Sequence, residues 1–179
     1  PAQVEVQILS IEPAVSLEET ERIKGRLREF TERVNSGSAD FSMLARLYSE
    51  DVESAKRGGE LGFVGKGQLV SEFADVAFNL TDPKRVSRVV QTEYGYHIIQ
   101  LIERKGERIN CRHILLKPRV SAEDKVTALG RLDSIRALVV DSGMPFEVAV
   151  ARFSEDKNTL MSGGLMTNPQ TGASKFEYQ

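Results

Sequence analysis

The sequence predicts an α+β protein made of two related domains in tandem, of which the second is truncated. The first observation is a repeat: Ser49-Glu50-Asp51 recurs as Ser154-Glu155-Asp156, and Gly58-Gly59 recurs as Gly163-Gly164, both 105 positions later. The second is that strand-like and helix-like segments alternate within each copy. The third is that only 15 residues follow the second glycine pair, whereas the first copy continues to Glu103. A repeat about as long as a domain indicates tandem domains and not a solenoid.

We therefore expect a first domain over residues 1–104 and an incomplete second domain over residues 105–179. The strand-like starts of the two copies align at an offset of 106, which sets Gln7-Ile8-Leu9 against His113-Ile114-Leu115. The polar stretch Arg104-Lys105-Gly106-Glu107 between the copies predicts a short hinge.

The first copy opens with a predicted strand from Val4 to Ile11, a stretch rich in Val and Ile. Ser16 begins a helix through a capping box. One apolar stripe on this helix is formed by Ile23, Leu27, Phe30 and Val34. Asp40 caps a second, short helix, and the polar and small residues 49–59 predict a loop or a helical turn.

A short strand at Leu61 to Val64 and a short helix carrying Phe73 come next. Two β-rich runs, Val86–Gln91 and Tyr96–Glu103, are joined by a predicted hairpin loop. This order of elements favours a small antiparallel sheet with helices on one or both faces.

The second copy repeats the opening with a strand at Cys111 to Leu116, a helix capped by Ser121 and a short helix that begins at Pro145. No counterpart of the hairpin at residues 86–103 follows. A sheet without its last two strands would leave an open edge and half a core. We expect this domain to be partly disordered, or to be completed by residues outside this sequence.

Composition argues against several classes of function. The net charge of −2 comes from 24 basic and 26 acidic residues that are interspersed, which gives no reason to expect a nucleic-acid partner. No apolar run approaches the ~20 residues of a transmembrane helix. One cysteine, Cys111, and two histidines provide neither an internal disulfide nor a zinc spacing, and we expect no metal and no cofactor. The chain opens on Pro1 without a methionine or a signal-peptide pattern, so we interpret it as a piece of a longer protein.

A set of motifs, in order and spacing, resembles the parvulin family of peptidyl-prolyl cis/trans isomerases. The motifs are Ser49-Glu50-Asp51, residues 54–63, Gly67-Gln68-Leu69-Val70, Glu72-Phe73 and Tyr94-Gly95-Tyr96-His97-Ile98-Ile99. They cover the whole first copy and the first two-thirds of the second. The resemblance implies the parvulin (FKBP-like) fold, a four-stranded antiparallel sheet with surrounding helices. It also implies isomerisation of X–Pro bonds, which breaks no bond and needs no nucleophile, metal or cofactor.

The resemblance also implies a site. The proline pocket would be formed by Leu61, Leu69 and Phe73, where Leu69 replaces the methionine usual in the family, a swap of similar volume. The polar floor would be formed by Asp51, Thr92, His97 and, in the first-strand position that the family fills with histidine, Gln7. The second copy offers His113 and Asp156 at the matching positions, and its equivalent of His97 lies beyond Gln179.

Each candidate also has a plainer interpretation. His97 fits a core histidine that bridges strands, and Asp51 fits a helix cap or turn residue. Phe73 and Leu61 fit an ordinary core. The glycine pairs make neither a P-loop nor a dinucleotide fingerprint and are interpreted as turn residues. Cys111 alternates with a histidine on one strand without an orienting third group, which argues against a thiol protease.

The leading functional hypothesis is a prolyl isomerase within a folding factor for exported proteins. Two tandem parvulin domains resemble the SurA group of periplasmic chaperone-isomerases. This implies unfolded or proline-containing polypeptides as partners, possibly outer-membrane proteins, and a periplasmic or cell-envelope location. One alternative is a catalytically weak peptide-binding chaperone, in which Gln7 marks lost catalysis, and another is a structural spacer. A preference for phosphorylated substrates is not expected, because the link Glu12–Val15 carries no cation.

Overall fold

The computed structural model describes residues 2–169 and 171–178. Over these residues the chain forms six α-helices and six strands. The helices are α1 (Leu17–Asn35), α2 (Phe41–Tyr48), α3 (Val52–Ala55), α4 (Ser71–Ala77), α5 (Ala122–Val140) and α6 (Phe146–Phe153). The strands are β1 (Ala2–Glu5), β2 (Glu60–Gly65), β3 (Val90–Thr92), β4 (Gly95–Lys105), β5 (Arg108–Leu116) and β6 (Lys175–Tyr178). None of the helices found over these residues is long and apolar enough to cross a bilayer.

The chain folds as two compact units whose limits differ from the predicted domains. One unit is Val15–Arg119, and the other combines residues up to Ala14 with residues from Val120 onward. The predicted boundary at residues 104/105 does not coincide with this division. The reason is that β5, which was expected to open the second domain, lies in the sheet of the Val15–Arg119 unit.

The Val15–Arg119 unit is built on a four-stranded antiparallel sheet in the order β2-β5-β4-β3. The predicted α+β class and the four-stranded antiparallel sheet are confirmed. β5 is an internal strand, because it pairs with β2 on one side and with β4 on the other.

The segment predicted as a hinge is the turn of the β4–β5 hairpin. Arg104 pairs with Ile109 and Lys105 with Arg108, which leaves Gly106 and one further residue in the loop. Gly106 has a φ of 58°, the positive value that a two-residue hairpin turn demands. So short a loop returns the chain antiparallel to β4, and the hinge prediction is wrong.

Equivalent residues of the two copies lie 105 positions apart throughout the structure. This holds for the first strands as well, for which the sequence alignment gave an offset of 106. The backbone N–H of His113 donates to the carbonyl of Gly59 at 2.9 Å, and that of Ile8 donates to Gly164 at 2.8 Å. The paired residues next to these follow the same offset. Ile8 is therefore the counterpart of His113, and the alignment with Gln7 is wrong by one residue. In a strand, a shift of one residue moves a side chain to the opposite face of the sheet.

Capping and periodicity explain the helices of the Val15–Arg119 unit. The Ser16 side chain accepts from the backbone N–H of Glu19 at 3.2 Å and starts α1. Asp40 does the same for α2, accepting from Met43 N–H at 2.9 Å. The reciprocal half of the capping box predicted at Ser16 is not formed, because the Glu19 carboxylate accepts from Arg22 instead. The stripe predicted on α1 is confirmed, since Ile23, Leu27 and Phe30 are buried and Val34 packs against them.

Each face of the sheet in the Val15–Arg119 unit carries an apolar cluster. On one face, α1 and α2 pack on strands β4 and β5 in a cluster of Ile23, Leu27, Phe30, Phe41, Leu44, Ala45, Val86, Tyr96, Ile98, Ile114 and Leu116. On the other face, α4 packs in a cluster of Phe73, Ala77, Val90, Ile99, Leu101, Ile109 and Cys111. Each fully buried aliphatic side chain contributes about 1.5–3 kcal/mol, so the two long strands stabilise both halves of this core.

Two predicted strands are shorter than expected. The predicted strand Val4–Ile11 is regular only up to Glu5 and then makes a single bridge at Gln7. The predicted strand Val86–Gln91 is regular only as β3. Before β3 the ladder is interrupted, because the Ser87 hydroxyl accepts from the backbone N–H of Ile99 at 2.9 Å in place of a backbone carbonyl.

In the other unit, α5 and α6 pack on the segment of residues 6–11. The helices expected after Ser121 and at Pro145 are confirmed. Their core contains Ile11, Ala128, Ile135 and Ala149. β1 and β6 form a two-stranded antiparallel sheet that the sequence did not predict. Within the described part of this unit there are no strands corresponding to β3 and β4.

Candidate active site

Four polar side chains from four different elements meet at one place in the Val15–Arg119 unit. Thr92 ends β3, His97 lies on β4, His113 lies on β5 and Asp51 immediately precedes α3. Because β4 and β5 are neighbours, the two imidazole rings stack, with 5.3 Å between their centroids and 14° between their planes.

These groups form one continuous chain of hydrogen bonds. Thr92 Oγ1 lies 2.8 Å from His97 Nε2, His97 Nδ1 lies 3.1 Å from His113 Nδ1, and His113 Nε2 lies 2.8 Å from Asp51 Oδ2. Asp51 Oδ2 also accepts from Ser54 Oγ at 2.5 Å. An ionised carboxylate only accepts, so the proton of His113 is on Nε2. Its Nδ1 then accepts from His97 Nδ1–H, and His97 Nε2 accepts from the Thr92 hydroxyl.

Burial keeps both imidazoles uncharged. His97 and His113 are only 4% and 6% exposed. Burial, with a smaller contribution from His113, lowers the pKa of His97 to about 4 against the opposing charge of Asp51. Burial also lowers the pKa of His113, although its hydrogen bond to Asp51 opposes this. Burial acts to raise the pKa of Asp51, but the hydrogen bonds from Ser54 and His113 outweigh it and hold this pKa below its ordinary value.

An apolar cavity of about 250 Å³ lies beside this chain of polar groups. Its walls include all three residues predicted for the proline pocket, and the full lining is Asp51, Leu61, Gln68, Leu69, Val70, Phe73, Tyr94, His97 and His113. The ring of Phe73 stands edge-on to both imidazoles, with centroid distances of 5.4 and 5.5 Å and interplanar angles of 87° and 82°. Edge-to-face contacts of this kind are favourable and hold Phe73 in one orientation against the polar floor.

The structure brings together six of the residues predicted for the first copy and leaves out the seventh. The six are Asp51, Thr92, His97, Leu61, Leu69 and Phe73. Gln7 does not reach this site. It belongs to the other unit, where its exposed side chain donates to the carbonyl of Gly163 at 2.9 Å. The fourth polar position is filled by His113, which was assigned to the second copy, because β5 is the strand between β2 and β4.

The second-copy pair His113 and Asp156 is likewise divided between the two units. Asp156 accepts from the Thr159 hydroxyl at 2.7 Å and from the backbone N–H of Asn158 at 3.0 Å. Within the described residues of its unit it therefore makes the contacts of a local turn and no contact with a histidine.

Sequence reasoning missed Ser54 as a member of the site. Ser54 is 1% exposed, donates to Asp51 and lies 3.1 Å from His113 Nε2. A signal was present in the repeat: Ser54 follows Asp51 by three residues, and Thr159 follows Asp156 by three residues. A hydroxyl at this spacing can hydrogen-bond the carboxylate in both copies.

Gly59 allows the backbone of β5 to approach closely, which places His113 in the site. Gly59 has a φ of 84°, and a Cβ atom on it would lie 2.3 Å from the carbonyl oxygen of His113. The interpretation of this glycine as a turn residue is therefore incomplete, because it also serves close packing of backbone on backbone.

The structure offers Cys111 no nucleophilic role. Its thiol is fully buried in the cluster beneath α4, and burial raises its pKa to about 12. The thiolate, which is the reactive form of cysteine, is therefore disfavoured.

Acidification is expected to destabilise the Val15–Arg119 unit between pH 6.5 and pH 4. In the folded state His97 binds its proton only near pH 4, whereas in the unfolded chain it binds one near pH 6.5. The contribution of His97 to the free energy of unfolding is therefore fully present above pH 6.5. It is lost as the pH falls toward 4, and the free energy of unfolding decreases by on the order of 3 kcal/mol. Urea unfolding followed by circular dichroism at several pH values measures this. The variant His97→Asn should have a flatter profile over the same range, and an unchanged profile would contradict the assignment.

The sheet order, the flanking helices and the histidine pair beside an apolar pocket define a domain of the parvulin type. The PPIC-type PPIASE domain family, a rotamase family, matches residues 8–103 and 113–179, and the chain therefore belongs to this family. The two matched segments correspond to the two copies of the internal repeat.

Curated relatives include a chaperone and a foldase. Chaperone SurA of Shewanella sp. (strain MR-7) is 40% identical over 103 residues, which cover 58% of this chain and 23% of that protein. Foldase protein PrsA 3 of Bacillus cereus is 41% identical over 99 residues, which cover 55% of this chain and 31% of that protein. The chain spans about a quarter to a third of the length of these relatives. A crystal structure of the peptidylprolyl isomerase PrsA from Bacillus anthracis matches 90% of this chain and 57% of that chain at 23% identity, with a TM-score of 0.34, a likeness too distant for detailed comparison.

Proposed function

We propose that the Val15–Arg119 unit is a peptidyl-prolyl cis/trans isomerase that acts on X–Pro bonds of unfolded polypeptides, as part of a folding factor. The observation that carries this proposal is the apolar cavity walled by Leu61, Leu69 and Phe73, which lies directly beside the uncharged His97–His113 pair. Membership of a rotamase family supports the same reading.

The reaction requires only that the twisted amide be bound better than the planar one. Resonance gives the planar amide a barrier to rotation of about 18–20 kcal/mol, and no bond is made or broken when it turns. A proline ring seated against Phe73 would hold one side of the bond still while the preceding residue rotates at the mouth of the cavity. Resonance makes the planar amide the more dipolar form. An apolar wall therefore stabilises the planar amide less than water does. The free-energy difference between the twisted and the planar amide is thus smaller in the cavity than in water.

The hydrogen-bonded chain fits a positioning role and not one in proton transfer. Burial lowers the pKa of His97 to about 4 and lowers the pKa of His113 as well, so neither imidazole carries charge at neutral pH and no cation is buried beside the proline ring. The carboxylate of Asp51 selects the tautomer of His113, and this in turn selects the tautomer of His97. Both rings contact Phe73, so the polar floor and the apolar wall are fixed together.

We further propose unfolded or exported polypeptides as substrates, including outer-membrane proteins, and a periplasmic or cell-envelope location. The support is that relatives carry the names chaperone and foldase. The alternative is a binding module without catalysis, and its support was that Gln7 replaces a histidine of the family. Because His113 and not Gln7 accompanies His97, that alternative is not favoured.

Exchange NMR on a short X–Pro peptide tests the proposal. The full chain is expected to accelerate cis/trans exchange above the uncatalysed rate. Asp51→Asn removes the charge that holds His113, and a hydrogen bond to a charged group is worth about 1.5–3 kcal/mol. We therefore expect kcat/KM to fall by about tenfold or more.

The matched control is Asp156→Asn, which changes the same residue in the repeated Ser-Glu-Asp motif of the other unit. This variant should leave the exchange rate unchanged. Peptide binding without accelerated exchange would support the binding-only alternative, and equal losses in both variants would contradict the assignment of the site to the Val15–Arg119 unit.

A further inference from the structure

Ser54 is the most deeply buried polar side chain described in the Val15–Arg119 unit, at 1% exposed. It does not line the apolar cavity, so it does not touch a proline ring seated there. Its Oγ lies 2.5 Å from Asp51 Oδ2 and 3.1 Å from His113 Nε2. Burial acts to raise the pKa of Asp51, and the hydrogen bond from Ser54 opposes it more strongly than any other contact. One hydroxyl thus contacts both the carboxylate and the imidazole that this carboxylate holds.

The single proton of this hydroxyl is committed to the carboxylate. Because an ionised carboxylate only accepts, Ser54 Oγ–H donates to Asp51, and the lone pairs of Oγ are left to accept. The Nε2–H of His113 therefore meets two acceptors, Asp51 Oδ2 at 2.8 Å and Ser54 Oγ at 3.1 Å. Neither of them can donate in return, so both contacts favour the tautomer with its proton on Nε2.

The backbone of Ser54 is tied to the same histidine by a second route. Its carbonyl accepts from the backbone N–H of Gly59 at 2.8 Å, and the carbonyl of Gly59 accepts from the backbone N–H of His113 at 2.9 Å. The segment that carries the hydroxyl is therefore fastened to the strand that carries the imidazole. This arrangement holds the two groups at a fixed separation.

The internal repeat contains the same hydroxyl–carboxylate pair without a histidine. Thr159 occupies the position of Ser54, and its hydroxyl donates to Asp156 Oδ2 at 2.7 Å. Both histidines of the chain belong to the Val15–Arg119 unit. The local segment is therefore sufficient to form the pair, and the hydroxyl orients the carboxylate whether or not an imidazole is present.

We propose that Ser54 is a positioning residue of the isomerase site, whose hydroxyl orients Asp51 and fixes the tautomer of His113. This role rests on the proposed function of the unit. The Asp51 side chain is 30% exposed, so without the hydroxyl it can turn toward solvent and leave His113 Nε2 without its acceptors. A proton moved to His113 Nδ1 would then face the proton on His97 Nδ1. Because the rings are joined through these two nitrogens, their tautomers change together.

Long-range ¹H–¹⁵N NMR of the imidazole rings measures the tautomers directly, because the chain contains only two histidines. The full chain is expected to show a single tautomer for each ring, Nε2–H for His113 and Nδ1–H for His97. Ser54→Ala should give a mixture of tautomers on both rings. For X–Pro exchange per folded molecule we expect kcat to fall about fivefold, with KM nearly unchanged because Ser54 does not touch the cavity.

The matched control is Ser87→Ala, which removes another buried hydroxyl of the same unit. Ser87 is 4% exposed, and its hydroxyl accepts from the backbone N–H of Ile99 without contacting the site. This variant should lower the urea midpoint and leave the imidazole shifts and kcat unchanged. Ser54→Thr introduces the hydroxyl that the repeat uses, and it should keep both readouts close to those of the unaltered chain.

Unchanged imidazole shifts in Ser54→Ala would overturn this proposal, whatever the effect on stability. Equal catalytic losses in Ser54→Ala and Ser87→Ala would also overturn it. So would a folded Ser54→Thr variant that behaves as Ser54→Ala does, since side-chain volume and not the hydroxyl would then be responsible. If the unaltered chain does not accelerate X–Pro exchange, the proposed isomerase function fails, while the NMR signals still show whether Ser54 fixes the tautomer.

Discussion

A fragment of residues 15–119 is expected to fold cooperatively, whereas a fragment of residues 1–104 is expected to be unfolded. The 1–104 fragment lacks β5, the strand that lies between β2 and β4. β5 contributes four aliphatic side chains that are at most 5% exposed, namely Ile109, Ile114, Leu115 and Leu116. At about 1.5–3 kcal/mol each, their loss amounts to about 6–12 kcal/mol, comparable to the entire stability of a small domain.

Two-dimensional ¹H–¹⁵N NMR and urea unfolding of the two fragments measure this difference. The 15–119 fragment should give a dispersed spectrum and a single unfolding transition, and 1–104 should give the narrow dispersion of an unfolded chain. A folded 1–104 fragment would mean that residues 6–11 can take the central position in the sheet. That result would contradict the conclusion that the sheet of the Val15–Arg119 unit requires β5 and not residues 6–11.

Phe73→Ala is expected to lower both stability and isomerase activity. Phe73 is 3% exposed, and removal of a buried phenylalanine costs about 3–5 kcal/mol. The same ring forms the wall of the cavity and contacts both imidazoles. A proline ring that loses this wall loses on the order of 1.5–3 kcal/mol of apolar contact. We therefore expect kcat/KM per folded molecule to fall at least about tenfold.

Phe78→Ala is the matched control for this experiment. Phe78 packs against the same apolar cluster but does not line the cavity. We expect it to lower the urea midpoint while leaving exchange per folded molecule unchanged, with peptide exchange and unfolding measured on the same samples. Equal catalytic losses in the two variants would indicate that Phe73 acts only through stability.

The elements that depend on neighbours in sequence were predictable. Ser16 and Asp40 make the capping contacts that their positions indicate, and the stripe on α1 is buried as its spacing predicts. Both are decided within a turn or two of helix, so the local sequence contains the necessary information. The pocket residues Leu61, Leu69 and Phe73 were found through a motif that keeps its order in the chain.

The origin of the second site histidine was not predictable in this way. Residues 6–11 and residues 111–116 are both short β-rich stretches at the same place in the repeat, so strand propensity gives no preference between them. The two-residue turn after β4 favours β5, because closing a short loop costs little entropy. Register was decided by contacts distant in sequence: Gly59 and Gly164 each lie against one particular backbone position, that of His113 and that of Ile8.

The repeat, the class of fold, the helices and most of the pocket could be predicted without coordinates, because local periodicity or an ordered motif encodes each of them. Only the folded chain shows which strand completes the sheet, and with it that His113 joins His97 while Gln7 does not. Strand pairing selects among partners that lie far apart in the chain. Where two strands have the same local preferences, loop closure and packing determine which of them pairs.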